Sequence, residues 1–272
     1  MRRYGFSVTL FLGLSILAGC ASPYRMPPDH EARFRAIKTV ALLPPEAKVY
    51  SLPAVGRPQM VEEWSKAARK NLARAIGRHA GTHGRFLLKE FNPADSLAAE
   101  QAYSEVRPRL AALLSRISDD YRRSMEKWGK DPWDAVEAPF VYSLGPVPAL
   151  GNGAEADALL FTFAADQIST AGRKAGIILG GILGGLAAGV GSLGGGASVP
   201  VGGGGGPGGG ATTVRMVLVD SRTGDVLWSY GWAKSGDFNV YDLRDPASAD
   251  KAVGIAFDHF RKAAASGKPK GE

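Results

Sequence analysis

Short apolar runs alternate along this chain with longer stretches in which apolar residues recur every third or fourth position. Ile37 to Leu43 is a compact apolar run closed by Pro44-Pro45, and it reads as a buried first strand because proline cannot continue a hydrogen-bonded ladder. From Pro58 to Ile76, Val61, Trp64, Ala68, Leu72 and Ile76 fall at helical spacing. Gly77 ends that pattern, and Arg74 and Arg78 suit a helix C-terminus. Arg85 to Phe91 predicts a second strand, ended by Asn92-Pro93. A long helix is expected from Asp95 to Trp128, kinked near Pro108, with Val106, Leu110, Leu113, Leu114, Ile117, Tyr121, Met125 and Trp128 as its apolar face.

The second half continues the theme. Asp131-Pro132-Trp133 and the segment from Gly145 to Pro148 read as connecting structure, and Ala156 to Ala164 as a third strand. Thr213 to Asp220 and Asp225 to Trp232 flank Ser221-Arg222-Thr223-Gly224, a β-hairpin pattern. Asp245 caps a last helix with Pro246 at its first position and Val253, Ala256, Phe257 and Phe260 as its stripe. This order predicts an α/β (α+β) fold: a single domain over residues 36–262, a mixed β-sheet flanked by helices, and a flexible tail at 263–272.

A glycine-rich apolar insertion at 171–212 interrupts the pattern. No charged residue occurs from Ala175 to Val214, and nineteen of the thirty-six glycines lie between Gly172 and Gly210. Its first half carries two ladders, Gly176, Gly180, Gly184 and Gly181, Gly185, Gly189. Glycines four apart give a helix a flat groove against which a second helix can pack. About sixteen apolar residues fall short of a full span. Two readings stand side by side: a re-entrant, interfacial or self-associating segment, or an apolar loop packed on its own domain. The second half, with Gly202 to Gly206 and Gly208 to Gly210, reads as a flexible return linker. Gly189-Val190-Gly191-Ser192-Leu193-Gly194 matches the letters of a dinucleotide fingerprint, but no strand precedes it and no helix clearly follows.

The first twenty residues form a leader. Arg2 and Arg3 precede an uncharged apolar stretch from Phe6 to Ala18, too short to span a bilayer comfortably. Leu17-Ala18-Gly19-Cys20 then resembles the lipobox of bacterial lipoproteins. The resemblance implies removal of residues 1–19 as a signal peptide, acylation of Cys20, and a lipid-anchored tether over 20–35. Cys20 is the only cysteine, so no intramolecular disulfide is available in an oxidising compartment. Two or three acyl chains anchor stably where one does not. Ala21 and Ser22 lack the aspartate of an inner-membrane retention signal, which favours the outer membrane, facing the periplasm, if the cell is Gram-negative. The net charge is +7; Arg2 and Arg3 leave with the leader, and the remainder carries +5. Its Lys and Arg are scattered along helices beside acidic residues, which speaks against nucleic acid as a partner.

No residue is assigned to catalysis, a metal or a cofactor. His79 and His83 stand four apart, but Gly77, Gly81 and Gly84 predict an exposed turn there. No Gly-x-Ser-x-Gly elbow occurs, and the neighbours in Glu62-Glu63 and Asp119-Asp120 diverge around a helix. Trp228, Tyr230 and Trp232 share one strand face, as a stacking platform for sugar or peptide or, more simply, as aromatics packed beneath a helix.

Thr39-Val40-Ala41-Leu42-Leu43-Pro44, Ala156-Asp157-Ala158-Leu159-Leu160, and the hairpin from Val217 to Asp220 and Thr223 to Trp228 together resemble the curli-export lipoprotein family. Related lipoproteins share the Tol-system amino-terminal α/β domain. The resemblance implies a mixed sheet flanked by helices and a non-enzymatic periplasmic role in envelope assembly or export. Some lipoproteins of this fold are activators, which adds peptidoglycan or a penicillin-binding protein as alternative partners. In the curli exporter, insertions between such strands become membrane hairpins of an oligomeric pore. Membrane strands alternate apolar and polar residues, whereas Ala175 to Gly210 carries glycine ladders and runs, so a β-barrel pore is not expected. The expected partners are membrane lipid through Cys20, and envelope proteins or further copies of the chain.

Overall fold

A computed structural model describes residues 24–25, 27, 30–53, 57–83, 86–128, 141–169, 210–236 and 241–266. They form a mixed α/β domain built on one eight-stranded sheet. In chain order the elements are β1 (Tyr24–Arg25), α1 (His30–Ala36), β2 (Thr39–Leu42), β3 (Glu46–Leu52), β4 (Gln59–Met60), α2 (Glu62–His83) and β5 (Leu87–Glu90). After a 3-10 turn at Pro93–Asp95 come α3 (Leu97–Trp128), α4 (Pro148–Ala154), β6 (Ala158–Ser169), β7 (Gly210–Asp220), β8 (Val226–Gly236) and α5 (Pro246–Ser266).

β6 is the axis of the sheet. β7 runs antiparallel along one flank, from Ala158↔Asp220 to Gln167↔Ala211, and β8 follows β7, with β1 beyond it. On the other flank β2 pairs parallel with the start of β6 and β3 with its end. Leu42 faces Leu160 and Glu46 faces Phe163, so three residues, Leu43-Pro44-Pro45, stand against two. The strand ends before the proline pair as expected, because the missing N–H groups interrupt the ladder, and the chain then resumes pairing with β6 as β3. The hydroxyl of Thr162, opposite this break, is buried with no hydrogen-bond partner among the described residues.

Each face of the sheet carries its own core. α2 and α5 cover one, where Leu72, Ile76, Val253 and Phe257 pack on Val40, Leu160, Met216 and Leu218. α3 and α4 cover the other, with Leu110, Leu113 and Leu150 on Leu159, Phe161 and Val217. α3 crosses the strands: Tyr103 and Arg107 reach Glu46 on β3, while the carbonyl of Leu114 accepts from Arg215 on β7. Of its expected apolar face, Val106 to Ile117 is buried; the side chains of Tyr121, Met125 and Trp128 lie outside the described residues. The helix continues through Pro108, which is exposed.

Gly77 does not stop α2, and His79 and His83 do not form a turn. A Cβ at Gly77 or Gly81 would meet nothing within 4 Å, so both glycines face outward. The opposite positions, Ile76 and Ala80, are buried against α5. Tertiary burial of that face outweighs about 1 kcal/mol of helix propensity lost at each glycine. The third strand likewise runs past Ala164 to Ser169. Residues 24–25 and 30–36, read from sequence as tether, are β1 and α1, and Phe34 of α1 packs edge-on against Phe260 with ring centroids 5.2 Å apart. The connection from Gly145 to Pro148 leads into α4, a short helix that the sequence pattern did not predict.

The hairpin turn is tight. Asp220 accepts from the backbone N–H groups of Arg222 and Thr223 at 2.9 and 3.0 Å, and Gly224 takes φ +74°. A Cβ there would lie 1.9 Å from the carbonyl oxygen of Gly145. Asp245 caps α5 as expected, accepting from Ser248 N–H at 2.9 Å.

Candidate functional site

β3, β6 and β8 end, and β7 begins, at one pole of the sheet. Asp166 is the chemically distinctive residue there. It lies on the α2/α5 face of β6 and is fully buried. One oxygen accepts from the Thr212 hydroxyl at 2.9 Å and the other from the Leu243 N–H at 3.1 Å. Burial pushes its carboxyl up to about 6; the bonds from Leu243 and Thr212 oppose that rise, Asp242 adds to it and Arg244 opposes it. The Thr212 hydroxyl also lies 2.8 Å from the carbonyl of Tyr241. A threonine has one hydrogen to give. In the ionised form that hydrogen goes to Asp166; below about pH 6 a protonated Asp166 can donate to Thr212 instead and free the hydroxyl hydrogen for Tyr241.

The same loop is held from α2. Asn71 donates to the carbonyls of Leu243 and Arg244 at 3.1 and 2.7 Å. Arg244 pairs with Asp242 and sits 4.2 Å over the Trp64 ring. This cluster is a polar latch that fastens residues 241–245 and the start of α5 to the sheet. Both oxygens of Asp166 are engaged by the fold. The sequence signal was present but weak: Ala158, Leu160, Thr162, Ala164, Asp166 and Ile168 keep one period-two face, with a carboxylate in an otherwise unbroken apolar or neutral series.

Several other titratable side chains are also committed to the fold. His79 shares Asp250 with Arg78, at 3.0 and 2.7 Å, and its ring stacks on Phe257. Glu62 pairs with Arg69, and Asp120 accepts from the Tyr142 hydroxyl at 2.5 Å. Glu46 takes Arg107 through both oxygens and the Tyr103 hydroxyl besides. Asp157 accepts from the N–H groups of Lys38 and Thr39 and from the Thr39 hydroxyl; burial works against its ionisation, but these bonds outweigh it and hold the carboxyl below its ordinary value. Among the described residues no group of three His, Cys, Asp or Glu is placed to hold a metal ion.

Trp228 and Tyr230 are buried under α5, stacked on each other at 5.9 Å, with Phe260 edge-on to Trp228 and His259 stacked on Tyr230. Trp232 packs on Tyr241 at 5.1 Å. The aromatic face is thus core rather than an open platform. Its polar tips are notable: Trp228 Nε1, Tyr230 Oη and Trp232 Nε1 are buried with no hydrogen-bond partner among the described residues.

The residues singled out by sequence meet the structure unevenly. Cys20, Leu17, Ala18 and Gly19, and the ladder glycines Gly176, Gly180, Gly184, Gly181, Gly185 and Gly189, all lie outside the described residues. What the structure places is where their segments join the domain. The insertion leaves after Ser169 and returns at Gly210, side by side at the Asp166 pole, where Gly210 also faces Gly236. β1 runs antiparallel to β8, with Tyr24 opposite Tyr230 and Arg25 opposite Ser229. Traced backwards from Tyr24, the chain therefore points to the same pole. Among the described residues no helix is long and apolar enough to cross a membrane.

Two solved structures are similar in part. A PelC dodecamer from Paraburkholderia phytofirmans aligns at 10% identity over 83% of this chain and 89% of that chain, with a TM-score of 0.31. The LpoB C-terminal domain from Salmonella enterica aligns at 13% identity over 73% of this chain and 83% of that chain, with a TM-score of 0.24. No protein-family model and no curated protein matches the chain.

Proposed function

We propose that this is a lipoprotein of the bacterial envelope, anchored through Cys20 in the outer membrane and facing the periplasm, whose α/β domain binds protein partners or further copies of itself and performs no chemistry. One observation carries the reading. The apolar insertion leaves and re-enters the domain at one pole of the sheet, and β1 runs so that the chain leading back toward the lipobox leaves Tyr24 in the direction of that pole. A domain with its apolar insertion at one end is suited to stand on a membrane and to present its other surfaces to partners.

The insertion can be tested without dismantling the fold, because Ile168 and Gly210 fall opposite each other in the β6–β7 ladder. Replacing residues 170–209 by a short hairpin turn leaves the two strands joined in register. The expected result is a folded domain, still lipidated at Cys20, that no longer assembles or needs detergent. Unchanged assembly and detergent partitioning in that variant refute the role given to the insertion. Anchoring is read separately by mass spectrometry of the membrane-extracted chain, where an unmodified residue 20 or a retained Met1 refutes it.

A further inference from the structure

Arg215 stands in the middle of β7, on the sheet face covered by α3, largely buried but still reached by solvent. Its Nη1 donates to the Leu114 carbonyl at 3.0 Å, and among the described residues no carboxylate meets the guanidinium. Acids on this side of the sheet are engaged elsewhere, Glu46 with Arg107 and Tyr103, and Asp120 with Tyr142. A guanidinium stays charged and spreads several N–H donors in one plane, and here most of them are left over. A charge this desolvated costs free energy unless a counter-charge meets it.

The strand position beside it is a glycine. Gly231 of β8 lies directly opposite Arg215, and a Cβ there would come within 3.4 Å of Nε and 3.8 Å of Cγ. A larger side chain would lie along that edge of the guanidinium, and glycine leaves it bare. Ser229, two positions along β8 on the same face, is buried beside this spot.

We propose that Arg215 is a binding site for a carboxylate, which pairs with the bare edge of the guanidinium over Gly231. Charge selects the class of ligand. One carboxylate neutralises one guanidinium, whereas a phosphate monoester would leave excess negative charge in the same desolvated place. The planar fork also fits a carboxylate through parallel N–H···O bonds. A peptide C-terminus and an aspartate or glutamate side chain both carry this group. The site goes beyond the partner-binding reading and needs neither the anchor nor the insertion.

Thermal unfolding of the full chain at fixed pH and ionic strength tests it. Sodium chloride is replaced stepwise by sodium acetate, by N-acetylglycylglycine as a C-terminal carboxylate, or by N-acetylaspartate amide as a side-chain carboxylate. A ligand that binds only the folded chain raises the midpoint as its concentration passes the dissociation constant. The midpoint of the wild type is expected to rise with these carboxylates and that of Arg215→Met to stay level. Gly231→Ala keeps the charge but sets a methyl against Nε, and is expected to need roughly tenfold more ligand, the loss of one charge-assisted hydrogen bond. It carries the test should Arg215→Met fail to fold. Whichever peptide probe acts at the lower concentration assigns the source of the carboxylate. An equal rise in Arg215→Met, or a wild type and Gly231→Ala that respond alike, overturns the site. A rise with inorganic or dimethyl phosphate and none with the carboxylates overturns the ligand class.

Discussion

Substituting Asp166 by asparagine isolates the polar latch at the sheet pole. In the wild type the carboxyl is fully buried, and its value of about 6 lies above the ordinary 3.8. The folded chain therefore holds a proton that the unfolded chain releases. The stability that this proton brings is present below about pH 4, falls as pH rises toward about 6, and stays lost above that. The gap spans roughly two pH units at about 1.4 kcal/mol each, or about 3 kcal/mol in all. Asp166→Asn keeps the shape and the hydrogen-bond pattern of the protonated acid. Its amide N–H₂ donates to Thr212, which passes its hydrogen to Tyr241, and its oxygen accepts from Leu243. The variant carries no proton to lose. Urea unfolding, followed by tryptophan fluorescence at about pH 4.5 and pH 7.5, is expected to show it more stable than the wild type at the higher pH and closer to it at the lower. Comparing the two proteins at each pH cancels the opposite contributions of Asp157 and Asp225, both held below their ordinary values. A variant destabilised equally at both pH values refutes the neutral acid, and means that an ionised Asp166, drawn by Arg244, is what the fold uses.

Three further substitutions bear on the scaffold. Gly224→Ala forces a Cβ to within 1.9 Å of the Gly145 carbonyl at a positive φ, and is expected to destabilise by about 3 kcal/mol or more, read as a fall in thermal midpoint. Pro108→Ala restores an N–H in the exposed interior of α3 and is expected to raise unfolding free energy by about 1–3 kcal/mol in a urea titration. Arg215 is largely buried, its guanidinium donates among the described residues to the Leu114 carbonyl, and burial lowers its basicity. Arg215→Met removes that charge while keeping the aliphatic stem, and is expected to stabilise by about 1 kcal/mol or more; a destabilised variant in the same titration shows that the α3 contact outweighs the cost of burying the charge.

Local pattern in the sequence determined much of this protein: the helical spacing of Trp64, Ala68, Leu72 and Ile76, the buried stripe of α5, and the hairpin closed at Gly224 all have the structure their residues predict. These features depend on neighbours one turn or one strand away, and such neighbours are visible in a linear chain. The glycines of α2 misled for the same reason: their local preference is to stop a helix, and only burial of Ile76 and Ala80 on α5 outweighs it. The prolines did stop β2, but that the chain resumes pairing with β6 as β3 was not visible locally. Asp166 is signalled only weakly, as a carboxylate in a period-two apolar face. Its partners Thr212 and Leu243 lie forty-six and seventy-seven positions away, and what pushes this strand carboxyl up to about 6 is desolvation. The resemblance to a lipobox rests on four letters, Leu17-Ala18-Gly19-Cys20, which a linear chain carries without any fold. That β1 runs antiparallel beside β8, and that the insertion leaves and re-enters at one end of the sheet, was decided by strand pairing, which exists only once β6, β7, β8 and β1 have come together.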